Sequence, residues 1–236
     1  MAVKTMDDIA TPDPLRQPKR ISLADSVADS IAEAISTRHI LPGERIVESS
    51  LTSRLGVSRV PIREALRVLH AQGILSGGGF KGYRVTDFGP EVTQQILEVR
   101  LSLETILLRD AIANWRSGAA DISELDRAIE DMRRSARAGD VRASLLADLQ
   151  FHRTIREAAG NAIVGTLWDA IARHVLIIFN FDRFRDDDLD AIPTQHEELR
   201  DRILDIVAHP VTEADLQALL EDHMLQIART KRKHLR

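Results

Sequence analysis

The chain has 236 residues with 32 basic and 36 acidic side chains, a net charge of −4, and no cysteine. The lack of cysteine excludes disulfides and cysteine-based zinc sites, and it suits a reducing compartment. The longest unbroken apolar run, residues 175–179, is far shorter than the roughly 18 residues that a membrane-spanning helix needs. With no apolar signal core at the N-terminus, we expect a cytoplasmic protein without a membrane partner.

The charge is unevenly distributed along the chain. Residues 38–84 contain 8 basic and 3 acidic side chains, whereas residues 89–236 contain 20 basic and 26 acidic ones. A basic patch within an acidic protein favours a polyanion as partner. The count alone leaves DNA, RNA and a salt-bridged surface open.

The first segments in chain order are an arm and a helix. Residues 1–20 are polar, contain three prolines and show no apolar period, so they predict a flexible arm. The next segment predicts an amphipathic helix that stops before Pro42 and Gly43. Its apolar residues recur every four positions and are Leu23, Val27, Ile31 and Ile35.

A pair of short helices follows. The first is expected from Glu48 to Leu55, and a turn at Gly56 leads into the second, which begins after Ser58. The Ser58 hydroxyl is expected to accept a hydrogen bond from a first-turn amide, and Pro61 is tolerated because a first-turn N–H has no helical partner. Two short helices joined by a tight turn predict a helix-turn-helix.

The second helix of this pair has an apolar face and a basic face. Its apolar residues, at helical spacing, are Ile62, Ala65, Leu66 and Leu69. Arg59, Arg63 and Arg67 lie four residues apart and therefore point away from that face. A solvated basic face is the alternative to a nucleic-acid contact.

A β-hairpin, or wing, is expected next, because Tyr83 and Val85 alternate with polar residues after a glycine-rich turn. The glycines at 77–79 alone favour a floppy loop. Lys81 and Gly82 at the predicted tip, beside the basic helix, favour instead a phosphate or minor-groove contact.

The remainder of the chain predicts helices only. Glycine, proline and capping residues separate them, as at Gly139, Gly160, and Pro210 before Thr212. Short connections indicate antiparallel neighbours in an all-α bundle. The six expected helices span about residues 91–116, 121–138, 140–159, 161–182, 193–208 and 212–232.

Three of these helices direct a metal-capable side chain toward the interior. Asp148 and His152 are four residues apart and interrupt the apolar stripe of one helix. His196 and His223 each interrupt the apolar stripe of a later helix. Three imidazoles and one carboxylate can bind a divalent cation and leave a position open for a ligand. The alternative is that each histidine is an ordinary core residue.

The segment HILPGERIVESSLTSRLGVSRVPIREALRVLHAQGIL, residues 39–75, resembles the DNA-binding domain of the GntR family of bacterial regulators. The resemblance covers residues 23–88 and implies a winged helix-turn-helix, although the wing has three consecutive glycines and a lysine where an arginine is common. A recognition helix enters the major groove N-terminus first, so its first two arginines would lie nearest the bases. The resemblance implies DNA contacts at Arg45, Ser58, Arg59, Arg63, Lys81 and Gly82.

The C-terminal half resembles the FCD domain that follows this winged helix in the FadR branch of the family. The shared pattern lies in DLQFHRTIREAAGN, residues 148–161. The resemblance implies that Asp148, His152, His196 and His223 hold a divalent metal ion, with zinc or nickel favoured and manganese as a further candidate. Six helices rather than seven suggest the shorter, VanR-like version.

Arg100 also lies on an apolar stripe. A buried arginine needs a carboxylate, and Glu104 can supply it as a structural partner. The family resemblance implies instead that Arg100 approaches the acid group of an effector. The sequence leaves both interpretations open.

These observations predict a mainly α fold: a winged helix-turn-helix at 21–88 after an arm at 1–20, then an all-α antiparallel bundle at 89–236 for effector binding and dimerisation. The expected function is a dimeric transcription regulator, with repression favoured, that binds a palindromic double-stranded DNA operator and senses a small organic acid. A metal-dependent hydrolase with a DNA-binding appendage is the alternative, although we find no H-E-x-x-H or comparable catalytic set. A nucleic-acid-binding structural protein with core histidines is a third possibility. We expect no catalytic residues.

Overall fold

A computed structural model gives the structure of most of the chain. The predicted arm at 1–20 and Lys81 lie outside the described residues. The described ranges are 23–78, 82–183 and 189–233, without the side chains of 179–183 and 225–233.

The N-terminal half combines short helices with a small sheet. Gly56 ends the second helix with a φ of 67°, a left-handed conformation that favours glycine, and this turn separates the second helix from the third. The described elements are α1 Leu23–Ser36, β1 Arg45–Ile46, α2 Glu48–Leu55, α3 Arg59–Ala71, β2 Leu75–Gly77 and β3 Tyr83–Val85.

The strands form an antiparallel sheet in the order β1-β3-β2. The hairpin of β2 and β3 confirms the predicted wing. Strand β1 was not predicted, because a two-residue strand shows no alternation in sequence. It pairs with β3 so that Arg45 lies opposite Arg84 and Ile46 lies opposite Tyr83.

The core of this half lies between α1, α3 and the sheet. Ile31 and Ile35 of α1 are buried against Ile62 and Leu66 of α3 in one apolar cluster. Leu23, the first residue of the predicted stripe, is 56% exposed, and the buried face of α1 begins at Ala24.

In the described part of the C-terminal half, all the regular elements are helices. Every helix end lies within three residues of its predicted position. Helix α4 packs against α6, α7, α8 and α9 and is therefore central. The elements are α4 Pro90–Ser117, α5 Glu124–Arg137, α6 Val141–Ala159, α7 Ala162–Arg183, α8 Ala191–Ala208 and α9 Glu213–Lys233.

The predicted helix ends have clear physical causes. The Asp140 carboxylate accepts a hydrogen bond of 2.9 Å from the Ala143 amide at the start of α6, and Gly160 ends α6 with a φ of 63°. Thr212 and Asp215 bond each other reciprocally at the start of α9.

Helix α7 connects the two halves. It packs against α4 in the bundle and against α1 in the winged helix, and its Ile177 is fully buried in the N-terminal core. Arg173 of α7 donates a hydrogen bond of 2.7 Å to Asp29 of α1. The two halves are therefore joined by apolar packing and by ion pairs.

The predicted fold class is confirmed: a winged helix-turn-helix precedes an all-α bundle. None of the described helices has both the length and the apolar character needed to cross a lipid bilayer.

Candidate functional site

Helix α3 separates an apolar face from a basic face. Arg59, Arg63 and Arg67 are exposed. Val60 in the first turn is 64% exposed, a position from which an apolar side chain can contact a thymine methyl group in the major groove. Sequence reasoning did not identify Val60, although its place outside the apolar spacing was a usable signal. The buried face comprises Ile62, Ala65, Leu66 and Leu69.

Ser58 is the N-cap residue of α3, as predicted, with an extended backbone conformation. The expected capping hydrogen bond from its hydroxyl is absent, so that part of the prediction is wrong. The physical reason is Pro61: it occupies the third helical position and lacks the N–H that an N-cap hydroxyl commonly accepts.

Arg63 forms an ion pair of 2.8 Å with Glu48 at the start of α2. The side chains are 58% and 37% exposed, and exposed pairs of this kind contribute little to stability. Glu48 therefore orients Arg63 but does not hold it strongly, and the guanidinium can exchange this partner for DNA.

The exposed face of the sheet carries a second basic pair. Arg45 and Arg84 lie directly opposite each other on β1 and β3, so their side chains share a face, where like charges repel. An anion such as a phosphate would relieve that repulsion. Sequence reasoning missed Arg84, although the alternation with Val85 places it on the solvent side.

Gly82 has a structural role beside Arg45, and its predicted DNA contact stays a prediction. Its φ is 71°, and a Cβ added there would lie 3.3 Å from the Arg45 Nε. Gly82 therefore leaves room for the Arg45 guanidinium beside the turn. Any DNA contact of Lys81 stays a prediction.

The bundle contains a buried cluster of three histidines, as the sequence predicted. His152 of α6, His196 of α8 and His223 of α9 are each at most 3% exposed. One ring nitrogen from each lies within 4.8 Å of the others. Asp148, one turn before His152, lies beside His196, with 3.1 Å between the Asp148 Oδ1 and the His196 Nε2.

The contacts of His196 fix the roles of its two nitrogens. The Nδ1 lies 2.8 Å from the Ile192 carbonyl oxygen, which can only accept, so the Nδ1 carries the proton and donates. In a neutral ring the Nε2 then has a lone pair, and it faces an Asp148 oxygen that also has lone pairs. Two such acceptors 3.1 Å apart would repel each other, whereas a bound cation or a proton on the Nε2 would make the contact favourable.

The other two rings present nitrogens to the same interior. Neither ring nitrogen of His152 or His223 has a hydrogen-bond partner among the described residues. Burial lowers the pKa of both rings, and neighbouring His196 lowers that of His223 further. Neutral imidazole is the form that binds metal.

Glu104 of α4 joins this cluster to its surroundings. Its Oε1 accepts a hydrogen bond of 2.7 Å from the Arg100 Nε and one of 3.0 Å from the Trp168 Nε1. Its Oε2 lies 3.0 Å from the His152 Nδ1, although this contact lacks hydrogen-bond alignment. Burial raises the pKa of Glu104, but Arg100 and His152 outweigh burial and hold it well below its ordinary value.

The structure shows the pair expected from the structural interpretation of Arg100: its side chain is 1% exposed and forms an ion pair with Glu104. The effector contact stays a prediction. Sequence reasoning treated Glu104 only as a partner of Arg100 and missed its bonds to Trp168 and its contact with His152. These contacts depend on how α4, α6 and α7 cross, and the spacing of residues along one helix does not reveal that crossing.

The histidine cluster fits a divalent metal ion. Tetrahedral ligands at about 2.1 Å from a metal lie roughly 3.4 Å apart, a spacing that small ring rotations would reach from 4.8 Å. The His196 ring already donates its other N–H to a backbone carbonyl, the usual support of a ligating histidine. These three residues could hold a metal, with Asp148 placed to be a fourth ligand.

Helix α7 also contacts the end of α3. The His174 Nε2 donates to the Gln72 carbonyl oxygen at 2.8 Å, and Arg173 donates to the Gln72 side chain at 3.2 Å. Gln72 is the C-cap residue of α3. One helix therefore contacts Glu104 beside the histidine cluster through Trp168 and contacts α3 through these two residues.

Comparison with known families agrees with this two-part arrangement. Residues 23–85 match the family of bacterial regulatory proteins called gntR, and residues 95–223 match the FCD domain. The chain belongs to the gntR family of bacterial regulators and carries an FCD domain. It is a DNA-binding transcription regulator and not an enzyme.

Named relatives of this gntR regulator are transcription regulators. A probable D-xylose utilization operon transcriptional repressor of Paenarthrobacter nicotinovorans is 30% identical over 159 residues, 67% of this chain and 69% of that protein. McbR of Escherichia coli is 28% identical over 123 residues, 52% of this chain and 55% of McbR. The solved structure of E. coli McbR/YncC has a TM-score of 0.72 at 18% identity and covers 92% of this chain and 100% of that one. That structure has the same fold.

Proposed function

We propose that this regulator represses a metabolic operon by binding a palindromic double-stranded DNA operator as a homodimer, and that it senses a small carboxylate through a divalent-metal site. A relative named as a probable repressor of a D-xylose utilization operon supports repression of metabolic genes. A regulator of bacterial operons works in the cytoplasm, which is the compartment we propose.

The proposed DNA interface begins at the first turn of α3. Exposed arginines there fit the major groove, because the guanidinium fork can pair with guanine O6 and N7. One such helix reads only a few base pairs, so two copies on two half-sites are needed for a specific operator. The proposed contacts are Arg45, Ser58, Arg59, Arg63, Lys81 and Gly82, to which the sheet register adds Arg84.

The proposed metal ligands are His152, His196, His223 and Asp148. One observation carries this proposal: three buried histidines bring one ring nitrogen each within 4.8 Å of the others, and an Asp148 oxygen lies 3.1 Å from the His196 Nε2. A zinc, nickel or manganese ion held there would bind the ring nitrogens and the Asp148 carboxylate and offer an open position for a carboxylate oxygen.

Effector binding is proposed to change DNA binding through contacts that link α4, α7 and α3. An effector carboxylate near Arg100 would compete with Glu104 for its guanidinium, and Glu104 also accepts from Trp168. A change at Trp168 would move α7, whose Arg173 contacts Gln72 at the end of α3. A coupling of about 1 to 3 kcal/mol corresponds to roughly 5- to 150-fold regulation and must be reciprocal.

The test compares operator binding with and without acids. DNA selected by the protein from a random pool serves as the operator, and the chelator-treated protein is reloaded with zinc, nickel or manganese. We expect one acid in a panel of small organic acids to change the operator affinity of the loaded wild type within that range. His152→Ala should bind DNA but not respond, whereas His209→Ala, which alters a histidine with a 69% exposed side chain, should respond normally.

Two results would contradict separate parts of the proposal. If the wild type retains no metal and gains no thermal stability from any of the three ions, the metal site is wrong. If metal is retained but no acid alters DNA binding, the ion is structural and the effector proposal is wrong.

A further inference from the structure

A cleft lies where the winged helix meets the bundle, and we call it the interdomain cleft. Residues of α1 and α3 line one side, residues of α6 and α7 line the other, and the cleft encloses about 680 Å³. Small-molecule sites commonly occupy roughly 300 to 1,000 Å³ and often lie between domains. Neither the three clustered histidines nor Asp148 line the interdomain cleft, so it is separate from the proposed metal site.

Part of the lining is apolar. Leu146 of α6 is 36% exposed, and it lines the cleft together with Leu149 of the same helix, Leu176 of α7 and Val68 of α3. An apolar lining with a few polar groups is typical of a small-molecule site. The apolar part of a ligand could therefore pack against these side chains and remove them from water.

Helix α1 lines the cleft with acidic side chains. Asp25, Asp29 and Glu33 are four residues apart and therefore share one face of the helix. The Asp29 Oδ1 accepts a hydrogen bond of 2.7 Å from the Arg173 Nε of α7. The Asp29 side chain is nevertheless 65% exposed, so its carboxylate can accept a further N–H from a ligand.

Helix α6 lines the opposite side with a basic side chain, Arg153. Within the part of the chain that the structure describes, Arg153 forms no ion pair, and its bond to Gln150 of the same helix is long, at 3.4 Å. Arg156, about one turn later, instead pairs with Asp169 of α7 at 2.5 Å. A partly buried guanidinium without a carboxylate partner can bind an anion through two parallel hydrogen bonds.

The basic and acidic groups lie near each other across α7. Helices α6 and α7 are antiparallel neighbours, because a short turn connects them and Arg156 of the first pairs with Asp169 of the second. Arg153 comes about one turn before that pair on α6, and Arg173 comes about one turn after it on α7, so these two arginines are neighbours. Arg173 also holds Asp29. Arg153 and Asp29 therefore flank the same side chain from the two sides of the cleft.

We propose that the interdomain cleft is a second ligand site, which takes a small zwitterion of the amino-acid class. Arg153 would bind its carboxylate, Asp29 would bind its ammonium group, and Leu146 would contact its apolar part. An anion alone would meet the carboxylates of α1, and a cation alone would meet Arg153 and Arg173, whereas a zwitterion matches both sides. The site requires neither the metal nor the operator of the proposed function. Its ligand would join the winged helix to the bundle by contacting both.

The first test measures binding to the full-length protein in the presence of a chelator, which keeps the proposed metal site empty. The probes are the standard amino acids, screened by thermal unfolding and then titrated by calorimetry. We expect at least one amino acid with an apolar side chain to raise the melting temperature. The corresponding amine and the corresponding acid each lack one charge and should bind at least about 10-fold more weakly, because each leaves one charged group of the cleft without its ligand partner.

The second test assigns the two charges to residues. Arg153→Met should weaken binding of that amino acid by at least about 10-fold. It should also abolish the advantage of the amino acid over the corresponding amine, since no guanidinium is left to recognise the carboxylate. Asp29→Asn should in the same way abolish the advantage over the corresponding acid. A general loss of structure would instead lower the binding of all three ligands alike.

Matched controls for both variants lie outside the cleft. Arg133→Met alters a 39% exposed arginine on α5. Asp201→Asn alters a 67% exposed aspartate on α8 that, like Asp29, pairs with an arginine. Both controls should bind the amino acid as the wild type does.

The outcomes separate this inference from the proposed function. If no standard amino acid binds in chelator, or if either Arg153→Met or Asp29→Asn binds as the wild type does, the interdomain site is wrong. Binding that appears only in the zinc-loaded protein and is lost in His152→Ala belongs to the proposed metal site and also overturns the interdomain site. An analogue with one charge that binds as tightly as the amino acid overturns the zwitterion class. Binding in chelator that both variants weaken supports the interdomain site, whether or not the protein binds metal.

Discussion

The DNA-binding half and the bundle place their charged groups in opposite ways. Arg59 and Arg63 point away from the apolar face of α3 and are exposed to water. Glu104 and the three histidines instead interrupt apolar faces and are almost fully buried. An exposed charge keeps its hydration and acts mainly when a ligand arrives. A buried one needs a partner within the chain or a bound ion, or the fold loses stability. We therefore expect ionisable side chains to serve ligand binding in one half, and stability together with ligand binding in the other.

The largest expected effect of this contrast is on stability at Arg100. Arg100→Ala would leave the Glu104 carboxylate buried without its guanidinium, and we expect the free energy of unfolding to fall by about 3 to 5 kcal/mol. Arg109→Ala, on the same helix but with a 48% exposed side chain in its ion pairs, should cost less than about 1 kcal/mol. Urea unfolding with a chelator present measures both. Equal losses would contradict the contrast between buried and exposed charges.

The next effect is the stability gained from metal. With free zinc at about 100 times its dissociation constant, the wild type should gain about 2.7 kcal/mol. His223→Ala should lose most of that gain because it removes one of the proposed ligands. His209→Ala should keep it, because His209 is exposed and pairs with Asp205. A full zinc-dependent gain in His223→Ala would remove His223 from the site.

The sequence predicted the site residues better than their bonds. Helix ends and the inward positions of His152, His196 and His223 followed from periodicity, because a polar residue on an apolar stripe has only one direction to point. The bond from Trp168 to Glu104 did not follow, since it depends on the crossing and rotation of two helices far apart in sequence. The two-residue strand β1 could not be predicted from the sequence either, because only its pairing with β3 defines it.

A smaller effect is expected on the operator affinity when a residue of α3 is changed. Arg63→Ala should weaken operator binding by about 1 to 3 kcal/mol. It should leave the free energy of unfolding nearly unchanged, because the pair with Glu48 is exposed. Fluorescence anisotropy on operator and random DNA separates the roles: equal loss on both would indicate a phosphate contact, and no loss on either would reject Arg63 as a DNA contact.

The smallest effects come from two helix caps, one in each half. The Asp140 side chain accepts a bond from the Ala143 amide, so Asp140→Ala should lower the free energy of unfolding by about 1 kcal/mol. Ser58 makes no capping bond, because Pro61 supplies no N–H at the position that would donate, and Ser58→Ala should therefore cost only about 0.5 kcal/mol or less. Its operator affinity should nevertheless fall by about 0.5 to 1.5 kcal/mol if the hydroxyl meets a phosphate. If Ser58→Ala destabilises the protein as much as Asp140→Ala and leaves DNA binding unchanged, Ser58 is an ordinary cap and belongs to the fold rather than to the DNA interface.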